Sequence, residues 1–265
     1  MSEEPILIEE REAGWLTIRF NRPDARNALT GETISRLTGI LTGIRDDRSV
    51  RGVTFRGNGP VFCAGGDIKG FQRLYQGGDF SAEDVAETSM QGGRLFALIN
   101  ELPQVTVMLV HGAAIAGGLG LMCTGDIVVV HADTKFALTE TQIGIPPAQI
   151  APFVVGRVGL PVARRLMLAA ARFDGREARS VGLADAVVES MDGLDAEEAA
   201  IRENVARCAP GANAATKELA FAATRLSPEE MIRFAGERFA ECMLSDEGRE
   251  GVASFIEKRK PRWAD

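Results

Sequence analysis

The chain has 265 residues, of which 45% are hydrophobic and 25% charged, and carries a net charge of −7. That length suits one large domain, alone or with a smaller appendage, and supports a substantial core. The acidic balance argues against broad nucleic-acid binding, which needs a basic excess to neutralise phosphates, and no apolar run of about 18 residues offers a membrane span.

The opening "MSEEPILIEE" lacks the basic-then-apolar order of a secretory leader. Cys63, Cys123, Cys208 and Cys242 are widely spaced, with no C-x-x-C pair. The expectation is a cytoplasmic chain whose four thiols are reduced, small buried hydrophobes, free of disulfides and zinc. In chain order, "ILIEE" and "GWLTIRF" read as two strands joined by a short turn. "NRPDARNAL" is a polar connector, and Thr30 is placed to cap a helix over "GETISRLTGILTGI". "VRGVTFRG" reads as a further strand. "SAEDVAETSMQGGRLFALINEL" has the apolar spacing of a helix and stops before Pro103. "VTVMLV" and "DIVVVH" are apolar enough for buried strands. Strands alternating with helices predict an α/β domain. Beyond residue 197 the strand signal fades into four helical segments, read as a docked layer.

Two glycine-rich stretches interrupt this pattern. In "VFCAGGDIKG", residues 61–70, and "VHGAAIAGGLGLMCTGD", residues 110–126, a buried strand runs into residues almost without side chains, and then into a helix. Small residues leave helix N-terminal N–H groups open to an incoming acceptor. Two such turns can aim two amides at one oxygen, the arrangement that stabilises an enolate or a tetrahedral oxyanion. The alternative is close packing of helix on sheet. "GGLGLM" lacks the third small residue of a dinucleotide-binding turn.

The stretches "FNRPDARNAL", "FCAGGDI", "HGAAIAGGLGLMCTGD", "FALTETQIGI", "FDGREARSVGLADAVV" and "FIEKRKPRW" occur in this order. Together they resemble the enoyl-CoA hydratase/isomerase (crotonase) family over essentially the whole chain. The resemblance implies an α/β spiral of ββα repeats with its thioester site in residues 1–196, and a helical trimerisation region in residues 197–265. It implies an acyl-CoA substrate, with coenzyme A part of that substrate and no separate cofactor, and a homotrimer or dimer of trimers. The thioester oxygen would sit between the backbone N–H groups of Gly66 and Gly117. Ala64, Gly66, Asp67, Ile68 and Lys69 would line the pantetheine and adenine path, Arg26 and Ala28 would flank the nucleotide, and Lys258 would reach the phosphates from a neighbouring subunit. As bare residues, Arg26, Lys69 and Lys258 read equally well as solvated charge.

Glu140 in "ALTETQIGI" matches the family's acid/base glutamate; without the motif it reads as a charge at a helix start. Hydratases of the common type carry a second glutamate three residues after the second glycine of the pair, where this chain has Gly120. A single glutamate resembles the Δ3,Δ2-enoyl-CoA isomerase branch. "AGGLGL" together with "IPPAQIAPFVVGRVG" is similar instead to bacterial hydratases assigned to branched glutaconyl-CoA substrates. Thr141, Gln142, Gln149, Tyr75 and Asp79 are polar candidates for the missing group, and residues 71–95 are expected to shape the acyl pocket. With only His111 and His131, and no G-x-S-x-G elbow, nucleophilic hydrolysis fits poorly. His111 is expected to be a structural hydrogen-bonding residue. Hydration is the favoured outcome, with isomerisation and a catalytically silent acyl-CoA-binding paralogue as alternatives.

Overall fold

A computed structural model describes residues 6–67, 70, 72 and 81–264. The chain opens with β1 (Leu7–Glu12), β2 (Trp15–Phe20), α1 (Gly31–Ile44) and β3 (Gly52–Gly57). Further along come α2 (Ala82–Asn100), β4 (Val105–Val110), β5 (Ala113–Ile115), α3 (Gly117–Cys123), β6 (Ile127–His131) and β7 (Lys135–Ala137). Then follow α4 (Ala151–Leu168), β8 (Arg172–Phe173), α5 (Gly175–Ser180) and β9 (Ala186–Val188). Four helices close the chain: α6 (Met191–Ala206), α7 (Pro210–Ala222), α8 (Pro228–Leu244) and α9 (Asp246–Glu257).

A six-stranded sheet has the order β1-β2-β3-β4-β6-β9, antiparallel at β1/β2 and parallel from β2 onward. The central strand β4 is buried from Thr106 to Val110, which accounts for the run "VTVMLV", apolar but for Thr106, whose hydroxyl donates to Asp126. A smaller sheet, β5-β7-β8, lies beyond the ends of these strands. It is extended by a parallel bridge from Ala114 to Cys63, and Gly66 in turn bridges to Leu29. The chain thus passes repeatedly from a large-sheet strand to a short strand to a helix, as in β4–β5–α3. The helix starts follow the side-chain chemistry: Thr30 accepts from the Thr33 N–H, and Ser81 and Asp84 form a reciprocal capping box.

The main core is built on the fully buried Phe20, Phe55, Phe62 and Phe136, with Phe20 and Phe62 meeting edge to face at 5.7 Å. A second cluster joins Trp15, Val107, Leu109 and Val129 to Leu194 and Val205 of α6. The boundary expected after residue 196 therefore falls inside a helix that packs on β4, β6 and β9. The helices after α6 are more exposed, and α8 buries no residue fully. No helix among the described residues is long and apolar enough to cross a membrane.

The cysteine reading needs correction. Cys63 and Cys123 are buried, but Cys242 is only partly buried and Cys208 is exposed. The two latter residues lie in the outer helical layer, which one chain covers incompletely.

Candidate active site

The connector "RPDARNAL" grips the strand end at residues 58–67. Asn27 is buried; its side-chain amide donates to the carbonyls of Asn58 (3.0 Å) and Val61 (2.8 Å) while its oxygen accepts from the Arg22 N–H. The Ala64 N–H donates to the Arg26 carbonyl. Leu29 donates to the Gly65 carbonyl at 2.8 Å and accepts from the Asp67 N–H at 3.2 Å. These bonds pass on either side of the Gly66 N–H, which meets no acceptor among the described residues.

On the opposite flank Cys63 donates to Ala113 and accepts from Ile115, tying the strand end to β5. Gly118, at the start of α3, lies so close that a Cβ there would stand 2.1 Å from the Cys63 carbonyl oxygen. Ala116 enters α3 at φ 50°, ψ −121°, a conformation that favours glycine. It is held there from both sides, its N–H donating to Ala137 and its carbonyl accepting from Leu119 and Gly120. The next N–H, that of Gly117, has no acceptor among the described residues.

The two open amides adjoin. A Cβ built on Gly117 would be 3.5 Å from the Gly66 nitrogen. Gly65, at φ 97°, is the hinge between them: its Cβ would meet the Ile115 oxygen at 2.9 Å and the Gly117 nitrogen at 3.2 Å. Here glycine is required both by conformation and by close approach.

Glu140 comes to this end of the molecule because β7, whose Ala137 holds Ala116, stops three residues before it. It opens a short 3-10 helix, Glu140–Ile143, which Gly144 ends in the left-handed conformation. Its Oε2 is buried without a hydrogen-bond partner among the described residues. Burial pushes its pKa above the usual carboxylate range, opposed by its own backbone N–H. An unpaired, partly desolvated carboxylate is costly to a fold unless something else uses it.

The other expected residues are distributed less tightly. Ala28, Ala64 and Asp67 are partly buried along the gripped segment, and the Asp67 carboxylate accepts from the Gly70 N–H at 3.1 Å. Arg26 is exposed and left-handed, contributing its carbonyl to the framework. Lys258 ends α9, also left-handed, with an exposed side chain; no hydrogen bond among the described residues ties it to the Gly66–Gly117 pair. Ile68, Lys69, Tyr75 and Asp79 lie outside the described residues. Thr141 and Gln142 are exposed, while Gln149 Nε2 donates to Ser89 Oγ of α2. His111 is buried with Nε2 2.9 Å from the Gly59 carbonyl oxygen, and burial lowers its pKa, in keeping with the structural role expected of it. Asn27 was not singled out from the sequence, and Ala116 was read only as one of the small residues of its turn. Asn27 carries a readable signal in its turn-forming type after a Pro-Asp pair; the backbone angle of Ala116 carries none.

Residues 10–265 match the family model described as enoyl-CoA hydratase/isomerase. The chain belongs to that family. Among solved structures, Pseudomonas aeruginosa AtuE is 43% identical with a TM-score of 0.95, covering 98% of this chain and 100% of that one. An enoyl-CoA hydratase/isomerase from Marinobacter aquaeolei is 37% identical with a TM-score of 0.94, covering 98% and 99% respectively. Among curated relatives, the enoyl-CoA hydratase AKT6-1 of Alternaria alternata is 30% identical over 256 residues, 96% of this chain and 82% of the relative. The crotonase fold expected from the sequence is therefore the fold this chain has.

Proposed function

We propose that this family member is a lyase that hydrates a 2-enoyl-CoA thioester, with Glu140 as its acid/base carboxylate. The observation that carries the reading is the pair of open, adjoining amides at Gly66 and Gly117, tied through the Ala116–Ala137 hydrogen bond to the strand that ends three residues before Glu140. In the proposed reaction the thioester oxygen accepts hydrogen bonds from both amides. Ionised Glu140 removes a proton from water as the water oxygen bonds to C3 of the enoyl group, and the electron pair of the double bond moves to the thioester oxygen. The enolate so formed is stabilised by the two N–H groups, each worth about 3 kcal/mol in the barrier. Protonated Glu140 then gives its proton to C2, which restores the carboxylate and completes the addition of water. A carboxylate whose pKa burial has raised is suited to both halves of this exchange.

Gly120 favours a second reading, Δ3,Δ2 isomerisation of a 3-enoyl-CoA. There Glu140 removes a proton from C2 and returns it to C4, and no water has to be held. A silent acyl-CoA-binding paralogue would leave Glu140 idle. Arg26, Ala28, Ala64, Asp67, Ile68 and Lys69 are assigned to the coenzyme A path on the family resemblance. Lys258 of a second copy is assigned to the phosphates, in a cytoplasmic trimer or dimer of trimers. Exposed apolar side chains on α8 and α9 support assembly, among them Ile232 at 75%, Leu244 at 70% and Phe255 at 85%.

Thioester absorbance tests the reading. Loss of the conjugated signal from a 2-enoyl-CoA marks hydration, and its gain from a 3-enoyl-CoA marks isomerisation. Glu140→Gln should slow either reaction by about 10²–10⁴-fold. A variant that turns over every tested thioester as fast as the parent overturns the assignment.

A further inference from the structure

Gly120 lies one helical turn beyond Gly117, on the same face of α3. The space beside it is filled. A Cβ at position 120 would stand 2.1 Å from Ile150 Cγ2 and 2.4 Å from Ile150 Cβ, far inside contact distance. Rotating the isoleucine side chain relieves only the first clash, because Cβ is fixed by the backbone. That backbone is itself pinned: the Ile150 carbonyl accepts from the N–H groups of Phe153 and Val154 at the start of α4, each at 3.1 Å. Ile150 is 4% exposed.

The preceding residue locks the segment from the other side. Gln149 Nε2 donates to Ser89 Oγ, and Gln149 Oε1 occupies the place of a Cβ on Gly93, which would be 2.2 Å away. Two consecutive side chains thus seat on two glycines, Gln149 on Gly93 of α2 and Ile150 on Gly120 of α3. The absence of a second carboxylate is therefore more than one missing side chain. It is a matched pair, a glycine on one element and a branched hydrocarbon on another.

We infer that Ile150 is a positioning residue that excludes any side chain from position 120 and so keeps a second acid/base group off this face of α3 beside Gly117. The inference rests on the reading of Gly66, Gly117 and Glu140 as that site. Its consequence is that a glutamate cannot be restored at 120 by one substitution. Both the Cγ2 and the Cβ of residue 150 must first be removed.

The test is a double-mutant cycle with two readouts. Gly120→Ala should lower Tm by about 2–12 °C, the range of overpacking in a chain of this size. Ile150→Ala should fail to relieve that loss because it keeps the clashing Cβ, whereas in an Ile150→Gly background the same substitution should cost little further Tm. The second readout is chemical. Gly120→Glu combined with Ile150→Gly should add a second ionisation to the pH–rate profile and raise the ratio of hydration to isomerisation relative to Ile150→Gly alone. A Gly120→Ala protein that melts with the parent overturns the inference. So does a double variant whose pH profile and product ratio match those of Ile150→Gly. If Glu140→Gln retains full turnover, the underlying site reading has failed instead, and the thermal cycle still decides whether residue 150 excludes side chains from 120.

Discussion

Replacing Gly65 by alanine perturbs the candidate site at one atom. The residue sits at φ 97°, where an L side chain is strained by about 1–2 kcal/mol. The added Cβ would press on the Ile115 oxygen at 2.9 Å and the Gly117 nitrogen at 3.2 Å, and overpacking of this kind costs about 1–3 kcal/mol. Together these give about 2–5 kcal/mol, or a fall in Tm of about 5–20 °C for a chain of this size. The strain is relieved by moving residues 65–66 away from 115–117, which separates the two amides. Losing one such donor lowers kcat by about 10²–10³-fold. Thermal melts and enoyl-thioester turnover, measured below the variant's transition, read the two effects separately. Gly39 of α1, where an added Cβ meets nothing within 4 Å, is the control: alanine there should stabilise by about 0.5–1 kcal/mol. A Gly65→Ala protein with the parent's Tm and kcat refutes the close-approach argument.

In the proposed reaction Glu140 acts ionised, and burial raises its pKa, so kcat/KM should climb with pH through a midpoint above the ordinary carboxylate range; a pH–rate series checks this. The same shift makes the ionised form a cost to folding, since the folded state holds the proton more tightly than the unfolded one. Glu140→Gln should therefore melt above the parent at neutral pH, with the difference closing as pH falls below the usual carboxylate pKa. Glu250 is the opposite case. Hydrogen bonds from Arg259 and the Arg262 N–H hold its pKa down to about 2, so its contribution is present above the ordinary value of 4.5 and fades as pH falls towards about 2. Glu250→Gln should lower Tm at pH 7 and cost little near pH 2 in melts across that range. Phe255→Asp, at the most exposed large apolar side chain of α9, should shift sedimentation from the proposed trimer or dimer of trimers towards monomer at micromolar concentration; unchanged sedimentation would remove that face from the interface.

Much of the framework was legible because local chemistry and tertiary demand agree. The run "VTVMLV" is apolar but for Thr106 because both faces of β4 are buried, and Thr30 caps α1 by the bond its type and position suggest. The short strands β5, β7 and β8 were not legible, since two or three residues carry no period. At the site, the small residues of both turns flagged the segments in which the Gly66 and Gly117 N–H groups meet no acceptor among the described residues. Which glycine bears the steric demand was invisible, because Gly65 contacts a segment fifty residues away. The role of Ile150 was hidden for the same reason: in the sequence it is one more apolar residue before a helix, and only the fold brings it against Gly120. Cys208 and Cys242 misled because thiols are buried often enough to suggest it for all four.

The central claim concerns two backbone amides and one carbonyl oxygen. Isotope-edited infrared spectroscopy of a thioester labelled with ¹³C at its carbonyl, bound to Glu140→Gln to prevent turnover, reports on that oxygen directly. Two converging N–H donors should move the C=O stretch to lower frequency than in water, and Gly65→Ala in the same background should reverse much of the shift. A bound thioester whose carbonyl absorbs at its solution frequency would contradict the account.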